Sequence, residues 1–143
     1  MILAYRHTGV NVTNLDRSVA FYTSLGFVVA ECRHEEGPYI DVLTGLENVR
    51  LDWVKVRAPN GVLIELVQFQ RPLRLMQFAG DRDYADLGIN HLCFQVDDVE
   101  AMRRDLTAAG VRCHSVQTDP PGKVKNMACY DPDGTIVELV EAL

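Results

Sequence analysis

The sequence lacks three features that would mark common classes of protein. It holds 14 Lys and Arg against 20 Asp and Glu, a formal net charge of −6, so it has no basic excess for binding nucleic acid or an acidic membrane surface. It has no apolar run that approaches membrane-spanning length. None of its four cysteines belongs to a Cys-x-x-Cys pair, so we expect reduced thiols rather than a disulfide framework.

The N-terminal residues also lack the architecture of a signal peptide and lead directly into strand-like sequence. Together with the reduced thiols, this predicts a cytoplasmic protein whose partners include neither nucleic acid nor membrane. The 143 residues, of which 48% are hydrophobic, are enough for one core of ordinary size.

The chain does contain an internal repeat. Pro59 to Val67 and Pro132 to Val140 share five of nine residues, and internal repeats of this kind organise a fold. Pro-Asn-Gly and Pro-Asp-Gly are common turn residues, so two similar hairpins would explain the turns. Two hairpins do not explain why each strand carries a carboxylate, Glu65 or Glu138, among apolar neighbours.

The opening segments of the two halves also correspond. His91 falls on His7 and Gly110 on Gly26 at an offset of 84 residues, whereas the offset between the two glutamates is 73. The first half therefore carries 11 extra residues in or near residues 29–57, and such an insertion can form a lid or a specificity loop.

Alternating and helical hydrophobic spacings predict the order β-α-β-β-β in each half. For the first half we predict a strand over 7–12, a helix capped by Thr13 or Asn14 and stopped by Gly26, a strand over 27–33, a loop at 34–38, a short strand at 39–43, and a hairpin of 51–56 with 62–69. For the second half we predict a strand over 91–96 and a helix that begins in a capping box at residues 97–100. The predicted organisation is repeat 1 (1–69), a linker (70–88) with one helical turn around 73–78, and repeat 2 (89–143).

The alternation puts one His and one Glu of each half on the strand face opposite the helix. A single His on a strand is more often a hydrogen-bonded core residue, and a single mid-strand Glu more often lies at a solvated edge. An isolated buried carboxylate is costly unless it is paired or bound to a metal. Two His and two Glu at matching positions would converge about a pseudo-two-fold axis, giving an N₂O₂ ligand set for Zn²⁺, Ni²⁺, Co²⁺, Mn²⁺ or Fe²⁺.

The His…Glu…His…Glu order, the two βαβββ halves and the ending Asp-Pro-Asp-Gly-x-x-x-Glu-Leu-Val at 131–140 resemble the vicinal oxygen chelate superfamily. Its members include glyoxalase I, methylmalonyl-CoA epimerase, extradiol dioxygenases and fosfomycin- and bleomycin-resistance proteins. The resemblance implies one glyoxalase-like α+β domain over residues 1–143, with two tandem βαβββ repeats forming a curved mixed sheet around a metal-binding cleft. It also implies a homodimer, and it gives the metal ligands as His7, Glu65, His91 and Glu138.

The four-ligand set is most similar to that of bacterial glyoxalase I. The resemblance therefore implies a divalent-metal-dependent lyase or isomerase that chelates a small oxo substrate or thioester and moves a proton through an enolate intermediate. Glu138 is the expected catalytic base, with Glu65 as its counterpart. The residues that we expect to contact substrate are Asn11, Trp53, Phe69, Cys93, Gln95, Met127 and Lys123.

Other members of the superfamily stay open as alternatives. Glyoxalase I usually has an Arg four residues after its first ligand and an Asn four after its second, both of which hold glutathione; Asn11 and Phe69 stand there in this chain. The long segment that ends in Gly88-Ile-Asn-His91 looks more like a methylmalonyl-CoA epimerase. A non-catalytic binding or resistance protein usually lacks the full ligand set, and an Fe²⁺ dioxygenase typically uses one Glu rather than two.

Overall fold

The structure is a computed structural model that describes residues 1, 3–72, 84, 85 and 88–143. The chain divides into two compact units, Met1–Met76 and Gln77–Leu143. The first unit contains β1 (Thr8–Asn11), α1 (Leu15–Ser24), β2 (Val28–Glu36), α2 (Pro38–Thr44), β3 (Arg50–Arg57) and β4 (Leu63–Arg71). The second contains β5 (His91–Val96), α3 (Val99–Ala108), β6 (Gln117–Thr118), β7 (Val124–Tyr130) and β8 (Ile136–Ala142). The helical turn predicted at 73–78 lies outside the described residues.

Each unit builds its own four-stranded mixed sheet. The strand order is β1-β4-β3-β2 in the first unit and β5-β8-β7-β6 in the second. In both sheets the first and last strands of the repeat pair in parallel, and the remaining pairs are antiparallel. The predicted α+β class with two tandem βαβββ repeats is therefore confirmed. Among the described residues, no helix is long and apolar enough to span a membrane.

The two faces of each sheet have different roles. On β4, Ile64 and Leu66 are 1% and 0% exposed, and Gln68 on the same face accepts a hydrogen bond from the first backbone N–H of α1 (2.9 Å). On β8 the corresponding residue, Glu141, accepts from the first N–H of α3 (3.0 Å). Because neighbouring residues of a strand point to opposite faces, each helix covers one face of its sheet, and Glu65 or Glu138 lies on the other face. We call the face that carries Glu65 or Glu138 the glutamate face.

The two longer helices begin at side-chain caps. Asn14 accepts a hydrogen bond from the backbone N–H of Arg17 at the start of α1. At the start of α3 the cap is Asp98, which accepts from the N–H of Ala101 (2.8 Å), so the capping box read from Asp97 was one residue early. Each cap satisfies a backbone donor that the first helical turn leaves unpaired.

The segment at 34–44 differs from its prediction. β2 continues to Glu36, where a loop was expected, and the expected short strand at 39–43 is helix α2. Pro38 suits the first helical turn because it has no N–H to leave unpaired, and the left-handed Gly45 ends the helix. Ile40 is buried, so packing outweighed the strand-forming composition Tyr-Ile-Asp-Val.

Candidate functional site

The His7–Glu65 pair lies on the glutamate face of the first sheet. Parallel pairing with β1 puts Gly9 directly opposite Glu65, and His7 lies two residues earlier on the same side of the chain. Nε2 of His7 lies 3.2 Å from Oε2 of Glu65, with the two side chains 33% and 18% exposed. The strand register alone thus brings together two residues that are 58 positions apart in the sequence.

Lys55 is a further member of this site that the sequence interpretation missed. Antiparallel pairing of β3 with β4 sets Lys55 opposite Glu65, and Nζ lies 3.2 Å from Oε1, the carboxylate oxygen that does not face His7. The ammonium also lies 4.3 Å from the centre of the Trp53 ring, a cation–π contact. The alternation of β3 was the available signal, since it predicts Trp53 and Lys55 on one face.

The His91–Glu138 pair lies at the equivalent positions of the second unit. Nε2 of His91 is 3.6 Å from Oε2 of Glu138, and Nδ2 of Asn126 is 3.4 Å from Oε1. The Cys93 thiol, opposite Glu138 in the register of β5 with β8, hydrogen-bonds to the same carboxylate. Burial, the Glu138 charge and this hydrogen bond all raise the pKa of Cys93, so the thiol is a protonated donor.

Asn90 fixes the orientation of the His91 ring. Its amide Nδ2 donates to the backbone carbonyl of Tyr84 (2.6 Å), and a carbonyl only accepts. The other end of the amide, Oδ1, therefore faces Nδ1 of His91 at 2.6 Å and holds the ring proton there. In the neutral ring this leaves the lone pair on Nε2, the nitrogen that faces Glu138, as a metal ligand requires.

Tyr84 is a second residue that the sequence interpretation missed, because it falls in the predicted linker. Its ring centroid lies 5.4 Å from that of His91. Burial raises the pKa of Tyr84, and the charge of Glu138 raises it further, so the phenol keeps its proton near this carboxylate. A linker residue has no counterpart in the other repeat, so comparison of the two repeats could not indicate Tyr84.

Besides Cys93, four of the residues expected to contact substrate lie on the glutamate faces. Asn11 of β1 and Trp53 of β3 both pair with Val67 of β4, one from each side. Phe69 lies two residues after Val67 on β4, on the same face. In the second unit Gln95 pairs with Val140, two residues beyond Glu138. The structure thus brings these residues to the glutamate faces, and their contact with substrate stays a prediction.

Two of the expected substrate residues are not brought to the glutamate face. Met127 pairs with Leu139 and is 3% exposed, so it belongs to the helix-covered core. Lys123 precedes β7 and lies five residues from Ala128, the residue opposite Glu138, a separation of about 17 Å along an extended chain. Alternation and strand length, rather than residue type, decide what a strand presents, so the structure does not bring these two residues beside Glu138.

Helix α2 accounts for most of the insertion in the first half. Its Ile40 packs with Val49, Leu51 and Trp53, and the partly buried Val67 and Phe69 join this cluster. Since Trp53, Val67 and Phe69 lie on the glutamate face, α2 covers the part of that face next to Glu65. The second repeat has only the two-residue β6 between its helix and β7.

Each His–Glu pair supplies two potential ligands. Among the described residues there is no group of three or more His, Cys, Asp and Glu side chains that could hold a metal ion. The pairs themselves fit such an ion. Ligand atoms about 2.1 Å from one ion lie about 3.0 Å apart at right angles and about 3.4 Å apart in a tetrahedron, close to the 3.2 and 3.6 Å found here.

Comparison with known proteins agrees with this architecture. The model of the Glyoxalase/Bleomycin resistance protein/Dioxygenase superfamily matches residues 4–139. The chain therefore belongs to this superfamily. YaeR from Escherichia coli is 31% identical over 137 residues, covering 94% of this chain and 93% of YaeR. Lactoylglutathione lyase from Schizosaccharomyces pombe is 24% identical over 96% of this chain, which spans 44% of the length of that enzyme.

Two solved structures show the fold. A glyoxalase family protein from Bacillus cereus superposes with a TM-score of 0.90 at 23% identity, covering 100% of this chain and 96% of that one. FosX, a fosfomycin resistance protein from Listeria monocytogenes in complex with Mn(II) and sulfate, has a TM-score of 0.63 at 16% identity and covers 100% and 95% of the two chains.

Proposed function

We propose that the protein is a divalent-metal-dependent lyase or isomerase of the glyoxalase I-like type. The metal ligands are His7 and Glu65 from the first unit and His91 and Glu138 from the second. The supporting observation is that both units hold a His–Glu pair at the same register positions, with Nε2–Oε2 distances of 3.2 and 3.6 Å. That FosX was solved with Mn(II) supports a divalent ion, and Ni²⁺, Zn²⁺, Co²⁺, Mn²⁺ and Fe²⁺ all suit the donor set.

The proposed substrate is a small oxo compound or a thioester with two adjacent oxygens. A bound divalent ion would polarise the substrate carbonyl and stabilise negative charge on its oxygen. Glu138 removes a proton next to the carbonyl and returns it elsewhere on the substrate. Neutral donors, Asn126 and the Cys93 thiol, surround Glu138, and neither has to give up a proton for this carboxylate to accept one.

The insertion in the first half, which includes α2, adds a specificity element to this proposal. Because α2 packs next to Glu65, residues of α2 and of the Trp53 cluster would bound one side of the substrate. Asn11 and Phe69 replace the Arg and Asn with which glyoxalase I usually holds glutathione. We therefore expect turnover of the methylglyoxal–glutathione adduct to be weak or absent, although lactoylglutathione lyase is a relative.

A metal-free binding protein is the second candidate. The observation that favours it is the Lys55–Glu65 ion pair, since the ammonium already compensates this carboxylate when no metal is bound. An epimerase acting on an acyl thioester would use the same ligands as the first candidate, and a substrate screen would distinguish the two. A homodimer, implied by the resemblance, is tested by sedimentation.

Metal analysis separates the two candidates. Protein purified without chelator should contain close to one equivalent of a divalent transition metal per chain. Added metal at 100 times its Kd should stabilise the fold by about 2.7 kcal/mol, which raises the melting temperature by roughly 8 °C for a chain of this size. Protein without metal whose melting temperature is the same in Ni²⁺, Co²⁺, Mn²⁺ and Zn²⁺ would exclude the metalloenzyme and favour the binding protein.

A further inference from the structure

The two glutamates differ in the charge of their cross-strand neighbours. Lys55 faces Glu65 on β3, whereas Ala128 occupies the equivalent position facing Glu138 on β7. The Lys55 side chain is only 19% exposed, and Glu65 is its ion-pair partner at 3.2 Å. Among the residues that the structure describes, one half of the proposed site thus carries a largely buried Lys side chain next to its Glu, and the other half carries Ala128 there.

Metal binding would change the charge balance around this ammonium. Two Glu, two neutral His and one divalent cation sum to zero, so Lys55 adds one positive charge to this set of groups. Glu65 would then share its negative charge between the metal and Lys55. A largely buried cation without full compensation is costly, and a ligand with one negative charge would restore neutrality.

Among the described residues, no side chain fills the β1 side of Glu65. The residue opposite Glu65 on β1 is Gly9, and a Cβ built there would meet no atom within 4 Å. The contact with Trp53, whose ring centre lies 4.3 Å from Nζ, limits the positions that the Lys55 side chain can take. Lys55 is therefore held beside Glu65 rather than extended into solvent.

We propose that Lys55 makes the site selective for chelating substrates that carry a carboxylate, namely 2-oxo or 2-hydroxy carboxylates, over neutral dicarbonyl compounds. The inference rests on the proposed function, because the carboxylate and its neighbouring oxygen would bind the metal. Lys55 donates to the carboxylate and compensates its charge. It is a specificity residue and takes no part in proton transfer.

The experiment measures binding by titration calorimetry, first of Mn²⁺ and then of pyruvate and its neutral analogue pyruvamide to the Mn²⁺-loaded protein. The variants are Lys55→Met, which keeps the aliphatic chain over Trp53, and Lys55→Arg, which keeps the charge. Lys125→Met is the matched control, because it removes one positive charge from the opposite face of β7, where Lys125 pairs with Glu141. Lys55→Gln replaces Lys55→Met if the latter fails to fold.

The measured quantity is the change in the pyruvate-to-pyruvamide affinity ratio between variant and wild type, a comparison in which the preference of the metal itself cancels. In Lys55→Met this ratio should fall at least about tenfold, the weight of one charged hydrogen bond, with pyruvamide affinity unchanged. Lys55→Arg and Lys125→Met should keep the wild-type ratio.

A ratio in Lys55→Met within twofold of wild type, or no pyruvate binding to the loaded wild type, would overturn the specificity proposal and leave the metal site standing. Absence of Mn²⁺ binding in the first titration would overturn the proposed function, and with it this inference.

Discussion

Replacing Asp131 by Ala removes a carboxylate that holds the turn before β8. Asp131 is 4% exposed, and its Oδ1 accepts from the backbone N–H groups of Asp133 (2.9 Å) and Thr135 (2.8 Å). Hydrogen bonds to a charged group contribute about 1.5–3 kcal/mol each. The two donors are only partly buried and regain water when the carboxylate is removed, so the lower value applies and these two bonds together account for about 3 kcal/mol.

The first repeat shows that the turn itself survives this change. Ala58 is the residue of the first repeat that corresponds to Asp131. Its N–H donates to Val62 O at 2.9 Å, just as the N–H of Asp131 donates to Thr135 O. We therefore expect Asp131→Ala to fold with β8 in its native register and Glu138 in place. Urea denaturation at 25 °C, followed by circular dichroism, measures the loss as a lower midpoint at constant slope.

Asp131→Asn refines the test, because it keeps the accepting Oδ1 and removes only the charge. Neutral hydrogen bonds contribute about 0.5–1.5 kcal/mol each, so the two bonds retain about 1–3 kcal/mol and this variant should lose at most about 2 kcal/mol. A loss below about 1 kcal/mol in Asp131→Ala, or equal losses in the two variants, would refute the assignment of the stabilisation to charged hydrogen bonds.

Three further predictions concern the site and one exposed histidine. Glu138→Gln should keep most of the bound metal and lose about 10²–10⁴-fold in turnover. Glu65→Gln should lose less turnover than Glu138→Gln. Full activity of Glu138→Gln would show that the Glu138 carboxylate is a metal ligand only. His91→Ala should lower metal content and activity together, leaving activity per bound metal unchanged, as measured by elemental analysis beside a turnover assay. A hydrogen bond with Asp52 (2.7 Å), opposed by desolvation, raises the pKa of His34. The pair therefore stabilises the fold below about pH 6.5, and this contribution is lost as the pH rises through the raised pKa. Asp52→Asn should lower the pKa of His34 in an NMR titration.

The sequence by itself determined the architecture and the two His–Glu pairs. The repeated Gly-x-x-x-Glu-Leu-Val stretch and the constant offset of the first segments record two copies of one supersecondary unit. Strand alternation has a fixed period of two, so it assigned Glu65 and Glu138 to the face opposite the helices without reference to any contact. Local rules of this kind hold wherever a strand is half buried.

Only the tertiary structure decided what surrounds each pair. Cross-strand register, which joins residues distant in the sequence, set Lys55 beside Glu65 and Ala128 beside Glu138. Packing of Ile40 onto the Trp53 cluster made residues 38–44 a helix despite their strand-like composition. Tyr84 lies near His91 although nothing in its local sequence indicates it. Such neighbours depend on which strands pair and in which register, a non-local property that periodicity along one segment does not contain.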